Sequence, residues 1–274
     1  MQQLWYLVRT IIRLPMKRHI TTLVAAFIIV ASTGFITVPQ TGSWKPLFNG
    51  KDLSGWTMKI VGHEAGKNFG NTFRVADGIL SIRYDQYENN FNSRFGALYY
   101  NKVFTNYRLR VEYRFTGELT QGAPSWGYRD SGVQYHAQSP ASMALNQPFP
   151  VSLEYNLHGG NGKDDRPVGE ICANGITVEI NGAKNTSYCT AATVKKTFHG
   201  DQWVTLEIDV KDSVITHIVN GEEILRYKNP RYNATHELGK TFIKNGKDRV
   251  TEGYVSLQSN SHPIDFRKIE IIEY

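Results

Sequence analysis

The chain has 274 residues, 41% of them hydrophobic and 12% aromatic, enough for a sizeable core in one all-β unit or two smaller domains. Its formal net charge of +6 invites a nucleic-acid reading, but Arg9, Arg13, Lys17 and Arg18 stand in the first 38 residues with no acid among them. Taking those four from 31 leaves 27 basic against 25 acidic residues, so the body of the chain has almost no basic excess and no nucleic-acid partner is expected.

Ile20 to Val38 is an uncharged run of 19 residues behind Met16-Lys-Arg-His19, the order of a basic n-region and an apolar h-region. It predicts export, to the periplasm or cell envelope. A cleaved signal, a start at Met16 and an uncleaved single-span anchor all fit, because no Ala-x-Ala site follows and no cysteine lies nearby to carry a lipid. Residues 1–40 are thus read as a signal or anchor plus a short linker, and 41–274 as one domain that meets a membrane only through that segment.

From Trp44 the chain is a string of strands and turns, with no helical apolar period longer than two turns. Asp77-Gly78, between Phe73 and Ser81, marks a tight hairpin. Tyr107, Leu109, Val111, Tyr113 and Phe115 alternate with Arg108, Arg110, Glu112 and Arg114, as a half-buried antiparallel strand must. Gly117 to Tyr128, rich in Gly, Pro and Ser, reads as a long loop.

Two segments then separate core from chemistry. In Asp130-Ser-Gly-Val-Gln-Tyr-His-Ala137, Val133 and Tyr135 oppose Gln134 and His136; in Ser152-Leu-Glu-Tyr-Asn-Leu-His-Gly159, Leu153, Tyr155 and Leu157 oppose Glu154, Asn156 and His158. A glutamate, two histidines and two amides on one side of a sheet make a polar, proton-transferring surface. Gly159 to Lys184 reads as a second long loop, flanking these strands as binding loops do.

Cys172 and Cys189, the only cysteines, suit an oxidising compartment, and a disulfide between them would stabilise their loop-like surroundings by roughly 3 kcal/mol. Further on, Val204, Leu206, Ile208 and Val210 alternate with Thr205, Glu207 and Asp209, and Asn220-Gly221 marks another hairpin. At the C-terminus Ile264 and Phe266 share one parity, Ile269 and Ile271 the other, so the strand must bulge near Arg267-Lys268. The fold expected is an antiparallel β-sandwich or jelly roll.

Trp44-Lys-Pro-Leu-Phe-Asn-Gly-Lys-Asp-Leu-Ser-Gly-Trp56, Ser131-Gly-Val133, Asp201-Gln-Trp-Val-Thr-Leu-Glu207, Val219-Asn-Gly-Glu222, Gly253-Tyr-Val-Ser-Leu-Gln258 and Ile264-Asp-Phe-Arg-Lys-Ile269 together, in this order and spacing, resemble the 3-keto-disaccharide hydrolase domain family over residues 44 to 274. The resemblance implies a concanavalin A-like jelly roll, export, and action on glycosides oxidised at C3. A C3 ketone acidifies the hydrogen at C2, so that the glycosidic oxygen on C1 leaves by elimination and water adds back. Such chemistry requires a base near C2, a donor or metal for the enolate oxygen, and an acid for the departing oxygen.

Glu154 and His136 are the candidates for moving protons, with acid and base unassigned between them. Arg129, Asp130, Gln134, Asn156 and His158 are candidates to bind the sugar, and Gln258, His262 and Arg267 to complete the pocket. The remaining histidines, His217 among them, are given no role. Ordinary glycoside hydrolysis needs two carboxyl groups, and beside Glu154 only Asp130 or Glu170 offers itself. A non-catalytic carbohydrate-binding module using the same face is the alternative, with Trp126, Tyr128 and Tyr135 as available aromatic platforms. The sequence identifies no definite cofactor. A divalent metal could be held by Glu154 with His136 or Asp130, though not by Glu154 with His158, which stand about 13 Å apart along one strand; Asp164-Asp165 could hold calcium.

Overall fold

The computed structural model describes residues 42–274; the expected signal or anchor segment at residues 20–38 lies outside them. The strands are β1 (Lys45–Pro46), β2 (Trp56–Ile60), β3 (Phe73–Ala76), β4 (Ile79–Ile82), β5 (Gly96–Tyr100), β6 (Tyr107–Phe115), β7 (Asp130–Ala137), β8 (Ser152–His158), β9 (Ile171–Asn174) and β10 (Ile176–Ile180). They continue with β11 (Ala183–Asn185), β12 (Cys189–Thr190), β13 (Val204–Lys211), β14 (Val214–Val219), β15 (Glu222–Tyr232), β16 (Tyr254–Ser259) and β17 (Ile264–Glu273).

They form two antiparallel sheets. One runs β11-β10-β15-β14-β13-β6-β17-β4-β3 with β1 added beside β17; the other runs β12-β9-β8-β7-β16-β5-β2. This is the expected jelly-roll sandwich. The alternating strands bury one face each: Leu109, Val111, Leu206 and Ile208 from the larger sheet, Val133, Leu153, Tyr155 and Leu157 from the smaller, all within one core. Both expected hairpins form, with Asp77, Gly78, Asn220 and Gly221 at positive φ as their turns demand. The bulge near Arg267 is present too, where pairing of β17 with β6 slips between Phe266 and Lys268.

The expected loop from Gly159 to Lys184 is a loop only in part. Residues 171–180 are strands β9 and β10, and both cysteines lie on paired strands, Cys189 opposite Cys172. Gly169 and Gly175, both at positive φ, break the pattern that sequence periodicity needs, while β8 and β15 supply the missing hydrogen-bond partners.

One polar group crosses the core. His217 on β14 donates from Nδ1 to the Gly169 carbonyl (2.9 Å), and its single Nε2 lone pair is shared between the hydroxyls of Tyr135 (2.7 Å) and Tyr227 (2.9 Å). Burial pushes its pKa down to about 4, so the neutral imidazole serves these bonds. It thereby ties the larger sheet to the segment leading into Glu170.

Candidate functional site

The antiparallel register of β7 and β8 sets Gln134 opposite Glu154, Gly132 opposite Asn156 and Asp130 opposite His158. On the far side of β8, Glu154 faces Cys172; on the far side of β7, Gln134 faces Ser256. The outward face of the smaller sheet is thus a patch of carboxyls and amides with Glu154 near its centre.

Glu154 is 8% exposed, and its Oε2 accepts two amide N–H bonds, from Gln134 Nε2 (3.1 Å) and Gln258 Nε2 (2.9 Å). Gln134 is itself fixed by Ser256 Oγ, which donates to its Oε1 at 2.9 Å. The Glu154 side chain lies across Gly132, where a Cβ would meet its carboxyl carbon at 2.5 Å, so the Ser131-Gly-Val step is required to make room. Desolvation first, then the nearby charges of Asp130 and Glu170, push the Glu154 pKa up to about 8 against the lowering effect of Gln134. A carboxyl with that pKa is mostly protonated at neutral pH, and with two N–H donors on Oε2 the place left for the proton is Oε1.

Asp130 is held at both oxygens: Oδ2 accepts from His158 Nε2 at 3.0 Å, Oδ1 from Asn260 Nδ2. His158 also donates from Nδ1 to the Pro167 carbonyl at 3.0 Å, so both ring nitrogens face acceptors. Burial disfavours the imidazolium, but the hydrogen bond and charge of Asp130 outweigh it and raise the His158 pKa. Asn156 Nδ2 donates to Glu170 Oε1 at 3.0 Å. Since each amide turns its NH2 toward a carboxyl, the carbonyl oxygens of Asn156, Gln258 and Asn260 are left buried without a donor.

Asp130, Glu154, Asn156, Gln258 and Asn260 line a cavity of about 280 Å³, with Trp126 and Tyr188 as exposed aromatic walls (52% and 55%) and the Cys172–Cys189 disulfide in its side. Trp126 stacks on Phe95 with ring centroids 5.8 Å apart. A second hollow of about 300 Å³ begins at His158 and Glu170 and runs toward Arg166 and Lys195.

The structure thus brings together Glu154, Asp130, Gln134, Asn156, His158 and Gln258, and it sets four other candidates apart. His136 is the first correction: between Gln134 and Ala137 the pairing with β16 slips by one residue, and His136 takes φ 47°. This bulge breaks the two-residue alternation, so His136 does not share the face of Glu154. Burial pushes its pKa down to about 4, and its Nδ1 is without a protein partner. Gly253 permits the bulge, since a Cβ there would stand 2.3 Å from the His136 carbonyl carbon. Arg129 turns away to the Gly200 carbonyl (2.6 Å) and Asp201 (2.7 Å). His262 is buried between the rings of Phe115 and Tyr128, lowered to about 4 chiefly by desolvation. Arg267 lies on the other sheet, 2.6 Å from Glu112 and over the Trp203 ring.

Sequence reasoning missed Asn260 and Tyr188. The first shares the parity of Gln258 and was within reach of alternation; the second is signalled only by its neighbour Cys189. As for metals, the one group of three His, Cys, Asp or Glu ligand atoms found close together among the described residues is Glu170, Cys172 and Cys189, whose sulfurs are bonded to each other. The bulge removes His136 from any ion shared with Glu154, and the Asp164 carboxylate accepts from Asn161 at 2.8 Å within its own loop.

The profile of the 3-keto-alpha-glucoside-1,2-lyase-like domain matches residues 43–272. No curated protein matches the chain. Among solved structures, a "putative glycosyl hydrolase" from Parabacteroides distasonis is similar at 18% identity, covering 85% of this chain and 94% of its own, with a TM-score of 0.50. The exoplasmic/lumenal domain of VIP36 in a form bound to Ca2+ and Man3GlcNAc is similar at 10% identity, covering 84% and 90%, again with a TM-score of 0.50. At these identities the likeness concerns the fold alone.

Proposed function

The chain belongs to the 3-keto-alpha-glucoside-1,2-lyase-like domain family of carbohydrate-active proteins, and from that premise we propose that it cleaves 3-keto-glycosides by elimination in the cavity above Glu154. The observation that carries the proposal is the placing of two carboxyl groups in one cavity, Asp130 and a Glu154 whose pKa is pushed up to about 8 by burial. Glu154, neutral at pH 7, is the acid: with both amides on Oε2, Oε1–H is the proton to give to the departing glycosidic oxygen. Asp130, in the same cavity, is the base that takes the C2 hydrogen, with His158 and Asn260 fixing its orientation. The Asp130 contact favours the charged form of His158, which would bring positive charge toward the developing enolate. Gln134 and Gln258 act through Glu154, and Trp126 offers a flat apolar face to the sugar ring.

Elimination breaks the C2–H and C1–O bonds and forms a C1–C2 double bond conjugated with the ketone; hydration of that enone then gives the free 3-keto sugar. The test is incubation of the purified protein with a 3-keto disaccharide in deuterated buffer, with the parent disaccharide and a chelator-treated sample as controls. Release of the leaving sugar from the keto substrate alone, with deuterium at C2 of the product, is expected. Binding of both sugars without cleavage would leave a carbohydrate-binding module instead. In the cell the same reading makes the protein an exported, envelope-facing enzyme, which localisation of a tagged full-length chain tests.

A further inference from the structure

One wall of the cavity is carried by the thinnest piece of the fold. Strand β12 has two residues, ends the seven-stranded sheet and pairs with β9 alone. Tyr188, immediately before it, is more than half exposed and lines the cavity. Desolvation and then the charges of Glu154 and Asp130 push its pKa up to about 12, which puts the phenol within the field of the two carboxyls assigned to the reaction.

Little holds this segment down. The Ala173 N–H donates to the Tyr188 carbonyl at 2.6 Å, Asn185 Nδ2 donates to Thr190 Oγ1 at 2.9 Å, and Cys189 is bonded to Cys172. Glu154, Cys172 and Cys189 are consecutive partners across β8, β9 and β12, so the disulfide anchors the edge to the strand position directly beside the acid. Edge segments with so few bonds open at low free energy unless a covalent link removes that freedom. The core, by contrast, is built from both sheets and involves β12 hardly at all.

We propose that Tyr188 is a substrate-contacting residue of this site and that the Cys172–Cys189 disulfide is the element that positions it, so that turnover depends on the disulfide while the fold does not. The proposal rests on the catalytic reading above. Tyr188 would lay its ring along the sugar and, keeping its proton at ordinary pH, donate its O–H to a sugar oxygen. The two roles are separable, because the ring needs only to be in place whereas the hydroxyl needs its donor proton.

Steady-state kinetics on a 3-keto disaccharide, with thermal melting in parallel, test this with Tyr188→Phe, Tyr188→Ala, the pair Cys172→Ala/Cys189→Ala, and that pair combined with Tyr188→Ala. Tyr188→Ala and the cysteine pair are each expected to lower kcat/KM on the order of 10- to 100-fold, as misplacement by about an ångström does. Tyr188→Phe should lose less. The decisive result is non-additivity: added to the cysteine pair, Tyr188→Ala should cost little more, because the wall is already lost. Wild-type kcat/KM in the cysteine pair, or full additivity, overturns the proposal. If the pair does not fold, its independence from the fold is refuted directly. If wild type turns over no keto sugar, the catalytic reading falls rather than this one, and calorimetric binding of the parent disaccharide by the same variants reads the coupling, with full additivity again overturning it.

Discussion

On the outer face of the ten-stranded sheet the charges close on one another, whereas on the outer face of the seven-stranded sheet Glu154 and Glu170 are met by amides and Asp130 by an amide and the His158 ring. In the first, Glu207 takes Arg108 (2.6 Å) and Arg110 (2.7 Å), Glu112 takes Arg267 and Lys268, and Asp265 takes Arg83, Arg114 and Ser81. Guanidinium groups of Arg114 and Arg267 lie over Trp203, and that of Arg110 over Trp44. In the second, Glu154 faces two glutamines, and neither lysine nor arginine lines the described cavity. The consequence is a difference in acidity: burial would raise Glu112, but Lys268 and Arg267 outweigh it and hold its pKa below the usual range, while desolvation pushes Glu154, given only neutral donors, up to about 8. A guanidinium fixes a carboxyl as a charge; an amide positions it and leaves its proton available.

The largest effect expected from this contrast is at its centre. Glu154→Gln keeps the shape and removes the acid, so kcat should fall about 10²- to 10⁴-fold. The same variant should melt above wild type at pH 8 and higher. The Glu154 pKa is raised from 4.5 to about 8 on folding, so the stability it contributes is complete below 4.5 and is lost as pH rises toward 8, at up to about 1.4 kcal/mol per pH unit; glutamine escapes that loss. Unchanged kcat would remove Glu154 from the reaction. Asp265→Ala is the mirror experiment. It strips a buried carboxylate from two arginines that retain some solvent, and should cost about 2 to 3 kcal/mol in denaturant unfolding with kcat and KM unaltered. The pH profile of wild type sharpens the contrast further: kcat should decline above about pH 8, where Glu154 loses its proton, approaching tenfold per pH unit. A flat profile to pH 10 would mean that another group gives the proton.

How much of this was legible in sequence follows the same division. The half-buried strands β6 and β13 announce themselves because an uninterrupted two-residue period is forced wherever one face is core and the other solvent. That rule also found Gln134, Glu154, Asn156 and His158, which occupy unbroken stretches of β7 and β8. It failed at His136 because the extra residue of a bulge leaves no mark in its own strand; the mark is Gly253, on the neighbouring chain segment. It failed for β9 and β10 because Gly175 interrupts two short runs whose partners lie far along the sequence. Tyr188 was invisible because β12 has no period to read; only tertiary pairing makes it a strand.

Arg267 gives the smallest expected effect and the most direct check on where the division lies. As a candidate for the pocket it would have to face the sugar, yet it is the residue skipped in the pairing of β17 with β6, and its side chain, 45% exposed, lies between Glu112 and the Trp203 ring. An ion pair and a cation–π contact at such exposure are each worth under about 1 kcal/mol, because water screens both and competes for the guanidinium. Arg267→Ala should therefore lower the unfolding free energy by less than about 2 kcal/mol for the two contacts together, with a larger share surviving at high salt than for a pure ion pair, since part of the contact is packing of the side-chain stem on Trp203. Kinetics on the keto sugar should not change. A rate loss beyond tenfold at unaltered melting temperature would put a second functional surface on the face where the charges close, and the distinction between structural and reactive carboxyls would no longer follow the two sheets.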